Sequence, residues 1–345
     1  MTGIEPVRKG RASSRGRKPT MSDVAERAGV SRALVSLVFR GKEGASAATR
    51  QRVFDAAAEI GYRPDSLART LRSNRTYHLG VVFDLRRPFE VEFVEHLFPL
   101  VRELERHLVL GAVTPDRDHD HVIDELLRYR CEGLIVIGPE PRDRALRAVS
   151  AEVAVVEVGR GLTGGNVDVV RSDDADGIRQ AVDHLVSLGH RDIAHVDGDD
   201  LPAARERRIG YEQAMRAHGL SGHLRVVTGG YTEDDGARAG RELLRDGLPT
   251  AVVAAADESA VGLLDVMVRA GVRVPRDLSL VGYNDSRIAR LPGIVLTSVR
   301  QDIPGMAGFA VQAAVERVEV LDREPRAVAL PPRLVVREST AAPRR

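Results

Sequence analysis

The chain has 345 residues, 43% of them hydrophobic, and a formal net charge of +1, so two or three domains with proper cores are expected. No apolar run approaches the roughly 20 residues of a membrane-spanning helix, and the basic first residues have no apolar segment behind them, so neither a membrane protein nor a secreted one is expected. The single cysteine, Cys131, cannot form an internal disulfide and reads as a packing residue beside the apolar "GLIVIG" rather than a nucleophile; the cytoplasm fits.

The even charge hides a basic surplus gathered before residue 76. Arg8, Lys9, Arg11, Arg15, Arg17 and Lys18 interrupt a Gly- and Ser-bearing segment, which reads as a disordered, phosphate-seeking arm. Next comes "MSDVAERAGVSRALVSLVF". Val24, Ala25 and Ala28 share one helical face, and Thr20 with Asp23 has the spacing of a capping box. Gly29 suits a left-handed stop and Ser31 an N-cap for a second helix. In that helix Leu34, Val35 and Val38 face inward, leaving Ser31, Arg32, Ala33, Ser36 and Leu37 nearer the outside. Two short helices joined by a tight Gly-containing turn are the pattern of a helix-turn-helix, whose second helix enters the DNA major groove. An ordinary helical hairpin carries the same turn signals. Ser46 opens a third helix lined by Val53, Ala57 and Ile60 and stopped by Gly61. In "YRPDSLARTLRSNRT", Leu67, Ala68 and Leu71 form a narrow apolar stripe among Arg63, Arg69, Arg72 and Arg75, and this helix is too short to be stable alone.

From Tyr77 onward apolar strands alternate with helical patterns: "HLGVVF", "LVLGAV", "GLIVIG" and "VAVVEV", then "DIAHV", "LRVVTG", "TAVVAAA" and "LSLVGY". Such alternation implies parallel sheets covered by helices on both faces, here in two doubly wound halves with a cleft between them. Pro99 is expected to kink or split the first of these helices. The fold class is therefore a small all-α helix-turn-helix domain followed by a two-lobed α/β domain.

Other signals carry less chemistry. "DRDHDHVIDE" holds His119, His121 and Asp124, but a polar loop entering a helix explains them without a metal. "GRGLTGG" lacks the spacing of a dinucleotide fingerprint. No nucleophile elbow, zinc-ligand pair or phosphate loop is present, so no cofactor is expected and an enzyme explains no N-terminal feature. A solute receptor would explain only the cleft domain and would need an export signal.

Residues 21–82 closely resemble the N-terminus of the lactose-repressor/galactose-repressor family of bacterial transcription regulators. The matching motifs are Asp23-Val24-Ala25, Ala28-Gly29-Val30-Ser31, Val35-Ser36, Thr49-Arg50, Gly61-Tyr62-Arg63-Pro64, Ala68-Arg69-Thr70-Leu71 and Leu79-Gly80-Val81-Val82. Nearly all the chain after Arg17 shares the likeness, through "LPPRLVVREST". It implies a basic arm at 1–18, a helix-turn-helix domain at 19–62, a hinge helix and linker at 63–76, and an effector and dimerisation domain at 77–340. That last domain resembles a type I periplasmic sugar-binding protein. Its N-lobe spans about 77–172 and 302–330, its C-lobe about 173–301, and a tail follows at 341–345. The implied function is a repressor that binds a palindromic double-stranded operator as a homodimer, with affinity set by a small-molecule effector; a regulator without such an effector is the alternative. The family's leucine-rich tetramerisation tail is not found, which points to the dimer.

The same resemblance implies DNA contacts from Ser31, Arg32, Ala33, Ser36, Leu37 and the hinge residues Ala68, Arg69 and Leu71, with phosphate contacts from Lys18, Arg40 and Arg50. It places Asp84, Phe89, Arg160, Arg207, Tyr231, Asp257 and Asn284 in the effector cleft. The guanidinium forks of Arg160 and Arg207 suit hydroxyls or a carboxylate held at two points; the alternative, a surface or interlobe ion pair, stands level with this for Arg160 and behind it for Arg207. Three departures weaken the case for a typical sugar: Gly159 replaces the usual Asp, Ala256 the usual Asn, and Asn284 the usual first Asp of its motif. A less hydroxylated or an anionic effector is the expectation that follows.

Overall fold

The computed structural model describes residues 19–39, 41, 43–62, 75–139, 144–160, 165–201 and 203–344. The chain divides into two compact units, Met1–Arg75 and Thr76–Arg345.

The first unit contains α1 (Met21–Ala28), α2 (Arg32–Phe39) and α3 (Ala47–Glu59). α1 starts where the Asp23 carboxylate accepts from the Thr20 N–H at 2.6 Å and from its hydroxyl at 2.7 Å. It ends because Gly29 turns left-handed, with φ at 65°, letting the Val30 N–H reach the Ala25 carbonyl at 3.0 Å. Ser31 then accepts from the Leu34 N–H at 3.2 Å, and Ser46 from that of Thr49 at 3.2 Å, so side-chain oxygens satisfy the free ends of both α2 and α3. Val24, Val35 and Val53 are fully buried between the helices. Phe39 closes the cluster, 5.7 Å from the ring of Phe54 and 5.6 Å from that of Tyr62.

The second unit begins with β1 (His78–Asp84), α4 (Pro88–Glu103), β2 (His107–Val113), α5 (His119–Arg128), β3 (Gly133–Ile137), α6 (Arg144–Val149), β4 (Ala154–Val158) and β5 (Val167–Ser172). It continues through α7 (Asp174–Ser187), β6 (Ile193–Val196), α8 (Ala204–Ala217), β7 (Arg225–Val227), α9 (Glu233–Asp246), β8 (Ala251–Ala254) and α10 (Asp257–Arg269). Last come β9 (Ser279–Asn284), β10 (Thr297–Arg300), α11 (Ile303–Glu319), β11 (Ala327–Leu330) and β12 (Arg333–Val335). Two six-stranded sheets result, in the orders β11-β5-β4-β3-β1-β2 and β12-β10-β9-β8-β6-β7. Each sheet is the centre of one lobe. Strands β3, β4, β6 and β8 are buried along their whole length, as parallel strands covered on both faces must be.

The chain crosses between lobes three times: from β5 to α7, from β10 to α11, and from β11 to β12. α11 returns to the first lobe and buries Met306, Ala307, Ala310, Val311 and Ala314 in its core.

Four expectations need correction. Pro99 lies inside α4 without splitting it; it removes one helical N–H, while Phe93, Leu97 and Val101 stay buried and hold the helix to the sheet. The second sheet is not wholly parallel, because β12 runs antiparallel to β10; β12 follows β11 after two residues, so no crossover helix fixes its direction. The second lobe also extends past residue 301, taking β12 after the final crossing. Nor are residues 341–344 a free tail, since the Ala341 carbonyl accepts from His190 Nε2 at 2.8 Å and from the Ser279 hydroxyl at 3.0 Å. Arg344 adds a 2.8 Å ion pair to Asp277.

Candidate effector cleft and DNA-reading helix

At the start of α2, Ser31, Arg32 and Ala33 are exposed, and Ser36 and Leu37 are half-buried one turn on. A short helix whose first turn is exposed and whose opposite face carries Val35 and Val38 has the shape needed to read base edges. Leu37 is only partly available, because its Cδ1 would lie 3.3 Å from a Cβ built at Gly44 and so packs against that turn. Arg50 donates from Nε to the Ala45 carbonyl at 3.3 Å, which ties it to the loop before α3. Lys18, Arg40, Ala68, Arg69 and Leu71 lie outside the described residues.

In the second unit, a cavity of about 330 Å³ opens between the lobes where the strands of both sheets end. Parallel α/β sheets place ligands there, since loops leaving the carboxyl ends of the strands converge with helix N-termini. Asp84, at the end of β1, is buried on the wall. It accepts from the Arg86 N–H and Nε at 2.9 Å and from Nη2 at 2.6 Å. Burial works against its charge, but the Arg86 contacts and nearby Arg87 hold the carboxyl below its usual range. Glu90, in the first turn of α4, accepts from the Asp84 N–H at 2.7 Å and from Arg87 at 3.0 Å. Its burial is so complete that its pKa is pushed up to about 7. Gly138 permits this arrangement: φ is 59°, and a Cβ there would stand 2.7 Å from the Glu90 carboxyl.

Across the gap, Arg207 of α8 donates from Nε to Asp174 at 2.8 Å and from Nη1 to the Ala255 carbonyl. Its guanidinium lies 3.7 Å from the centre of the Tyr283 ring and 5.4 Å from that of Tyr231. Asn284 ends β9 with φ at 102° and accepts from Gln301 Nε2 at 2.8 Å, joining the strand end to the second crossing.

Asp84, Phe89, Arg207, Tyr231 and Asn284 therefore share one wall, and so do the substituted positions Gly159 and Ala256. Two expected residues do not. Asp257 is fully buried and turned into the second lobe, accepting from the Ser298 hydroxyl and the Ser286 N–H, both at 2.6 Å. Burial raises its pKa to about 7 despite those donors. Arg160, half-buried beyond Gly159, does not line the cavity. Conversely, Glu90, Asp174, Glu258 and Gln301 line it and were not anticipated. Their shared signal is position, each within a few residues after the end of a strand.

Elsewhere, Asp118 caps α5 by accepting from the His121 N–H at 2.9 Å, and no group of three or more possible metal ligands occurs among the described residues. Cys131 is buried in the core of the first lobe, where burial pushes its thiol up to about 12. No described helix is long and apolar enough to cross a membrane.

A profile for bacterial regulatory proteins of the lacI family matches residues 20–65, and one for a periplasmic binding protein-like domain matches residues 182–340. The HTH-type transcriptional regulator CelR of Thermobifida fusca is 34% identical over 339 residues, covering 94% of this chain and 99% of that one. The chain belongs to the lacI family of bacterial regulatory proteins. As a lacI-family member it is a DNA-binding transcriptional regulator with a helix-turn-helix head and a two-lobed periplasmic-binding-like domain. A CelR–cellobiose complex superposes with a TM-score of 0.70 at 31% identity, covering 93% of this chain and 100% of that one. The lac repressor dimer bound to operator and an anti-inducer gives a TM-score of 0.80 at 27% identity, with 94% and 100% covered.

Proposed function

We propose that this lacI-family protein is a repressor that binds a palindromic operator as a homodimer and whose DNA affinity is set by a small polar molecule in the interlobe cleft. The observation that carries the reading is the cleft itself, a cavity whose wall is built from both lobes. A ligand touching both lobes binds one degree of closure better than another, and so shifts the population between them. CelR in complex with cellobiose and the lac repressor with operator and anti-inducer support both halves of the coupling. Induction and corepression are the same coupling with opposite bias. The reading assigns no catalysis to the cleft and no role to a cofactor.

Within this reading Arg32 reads a guanine edge, Arg50 takes phosphate, and Asp84, Phe89, Arg207, Tyr231 and Asn284 meet the effector. The test is mobility shift of a selected operator, as full inverted repeat and as half-site, with and without candidate metabolites. Tight binding to the full repeat alone, altered by a metabolite that also raises the melting temperature, is expected. Equal binding to the half-site contradicts the dimer; no metabolite effect on DNA binding contradicts the effector.

A further inference from the structure

The cavity wall carries five carboxyl groups, Asp84, Glu90, Asp174, Asp235 and Glu258, and three guanidinium groups, Arg86, Arg87 and Arg207. Four of the acids are paired: Asp84 with Arg86, Glu90 with Arg87, Asp174 with Arg207, and Asp235 with Arg238 at 2.7 Å. Each arginine on the wall is thereby engaged, which leaves little to receive an anion. Glu258 is the exception. It is 6% exposed, its Oε1 accepts from the Ser286 hydroxyl at 3.1 Å, and no cationic side chain among the described residues pairs with it. Burial raises its pKa, and the charged neighbours that add to the rise, Glu233 and Glu92, are acids too.

A carboxyl set this deeply without a counter-charge is costly for the empty protein, and a ligand that supplies the charge recovers that cost. The rest of the wall suits a cation on a compact, partly apolar body. Ala256 and Gly159 offer no side-chain polar group, while Phe89 and Tyr231 present aromatic rings to the same space. Resting on the reading of this cleft as the effector site, we infer that its ligand carries a protonated amine that pairs with Glu258 while its body packs against Phe89 and Tyr231. The anionic effector left open by sequence is thereby disfavoured.

The experiment is calorimetry and thermal shift on the full-length protein with two matched pairs, glucosamine against glucose and tyramine against 4-ethylphenol. In at least one pair the amine should bind about tenfold more tightly than its neutral partner, and more weakly as salt is raised. Glu258→Gln, which keeps an acceptor for Ser286, should abolish that preference while melting at or above the wild-type temperature without ligand. Neutral partners binding as tightly, no binding by either amine at millimolar concentration, or a preference that survives Glu258→Gln would each overturn the inference. The wild-type comparison decides the matter even if the variant misfolds. Operator release by glucose and not by glucosamine removes the amine and leaves the effector reading standing. Amine binding that leaves operator affinity unchanged does the reverse.

Discussion

Asp168 is fully buried and answers three arginines at once: Arg317 at 2.7 Å, Arg323, and Arg326 at 3.8 Å. Arg317 is itself fully buried, so Asp168→Asn strands a guanidinium inside the protein. Urea denaturation should show a loss of about 3 kcal/mol or more. Glu90 tests the cleft differently. Its folded pKa is about 7 against an ordinary 4.5, so the stability it contributes is complete below the lower value and lost as pH rises through the upper. Between pH 5 and pH 8, wild type should therefore lose roughly 2 kcal/mol relative to Glu90→Gln. His195, pushed down to about 4 by burial, makes stability rise with pH over 4 to 6.5, but equally in both proteins. On the DNA side, Arg32→Ala should cost about 1 to 3 kcal/mol and relax preference at one base pair per half-site. A uniform loss on all sequences would make Arg32 a phosphate contact. The expected cleft residues were legible where the residue itself ends a strand or opens the next loop, as Asp84 and Asn284 do. Asp257 misled because its chemistry suits a ligand equally well, and only the direction of its side chain, toward Ser286 and Ser298, assigns it to the interior.

Helices α9 and α10 touch through glycine. A Cβ on Gly236 would stand 1.8 Å from the Ser259 carbonyl oxygen, and one on Gly262 1.8 Å from that of Glu233. Backbone cannot yield as a side chain can, so Gly236→Ala or Gly262→Ala should cost about 3 kcal/mol in thermal unfolding. Gly29→Ala meets no atom within 4 Å and should lose only about 1 kcal/mol, for its left-handed φ alone. The strands divide in a similar way. Apolar runs announced β1 to β4 and β6 to β9; burial accounts for the runs of the inner strands, while the edge strands β2 and β7 carry such runs although most of their residues are not buried. β5, β10, β11 and β12 were not announced. β5 interrupts its run with Asp168, which is tolerated only because Arg317 stands far away in sequence and next to it in space. β11 and β12 carry no fully buried residue, and the partners that make them strands, β5 and β10, are likewise distant in sequence.

At the scale of the molecule, the chain's return path decides what each part depends on. The core of the first lobe is closed by α11, and the edge of the second by β12 and by Ala341, which holds buried His190 and Ser279. Truncation after Leu330 should leave the β10 edge unpaired and yield a chain that melts earlier and aggregates, read by light scattering on heating. The helix-turn-helix core, by contrast, has Tyr62 as its last buried member among the described residues. Order of synthesis follows from this. As the polypeptide leaves the ribosome, the DNA-reading head is complete while neither lobe can yet finish. On the proposed homodimer, a message cut between the two points would yield a folded head without the domain that pairs it with a second copy, so premature termination leaves a half-site reader that has lost the tight grip on a full repeat.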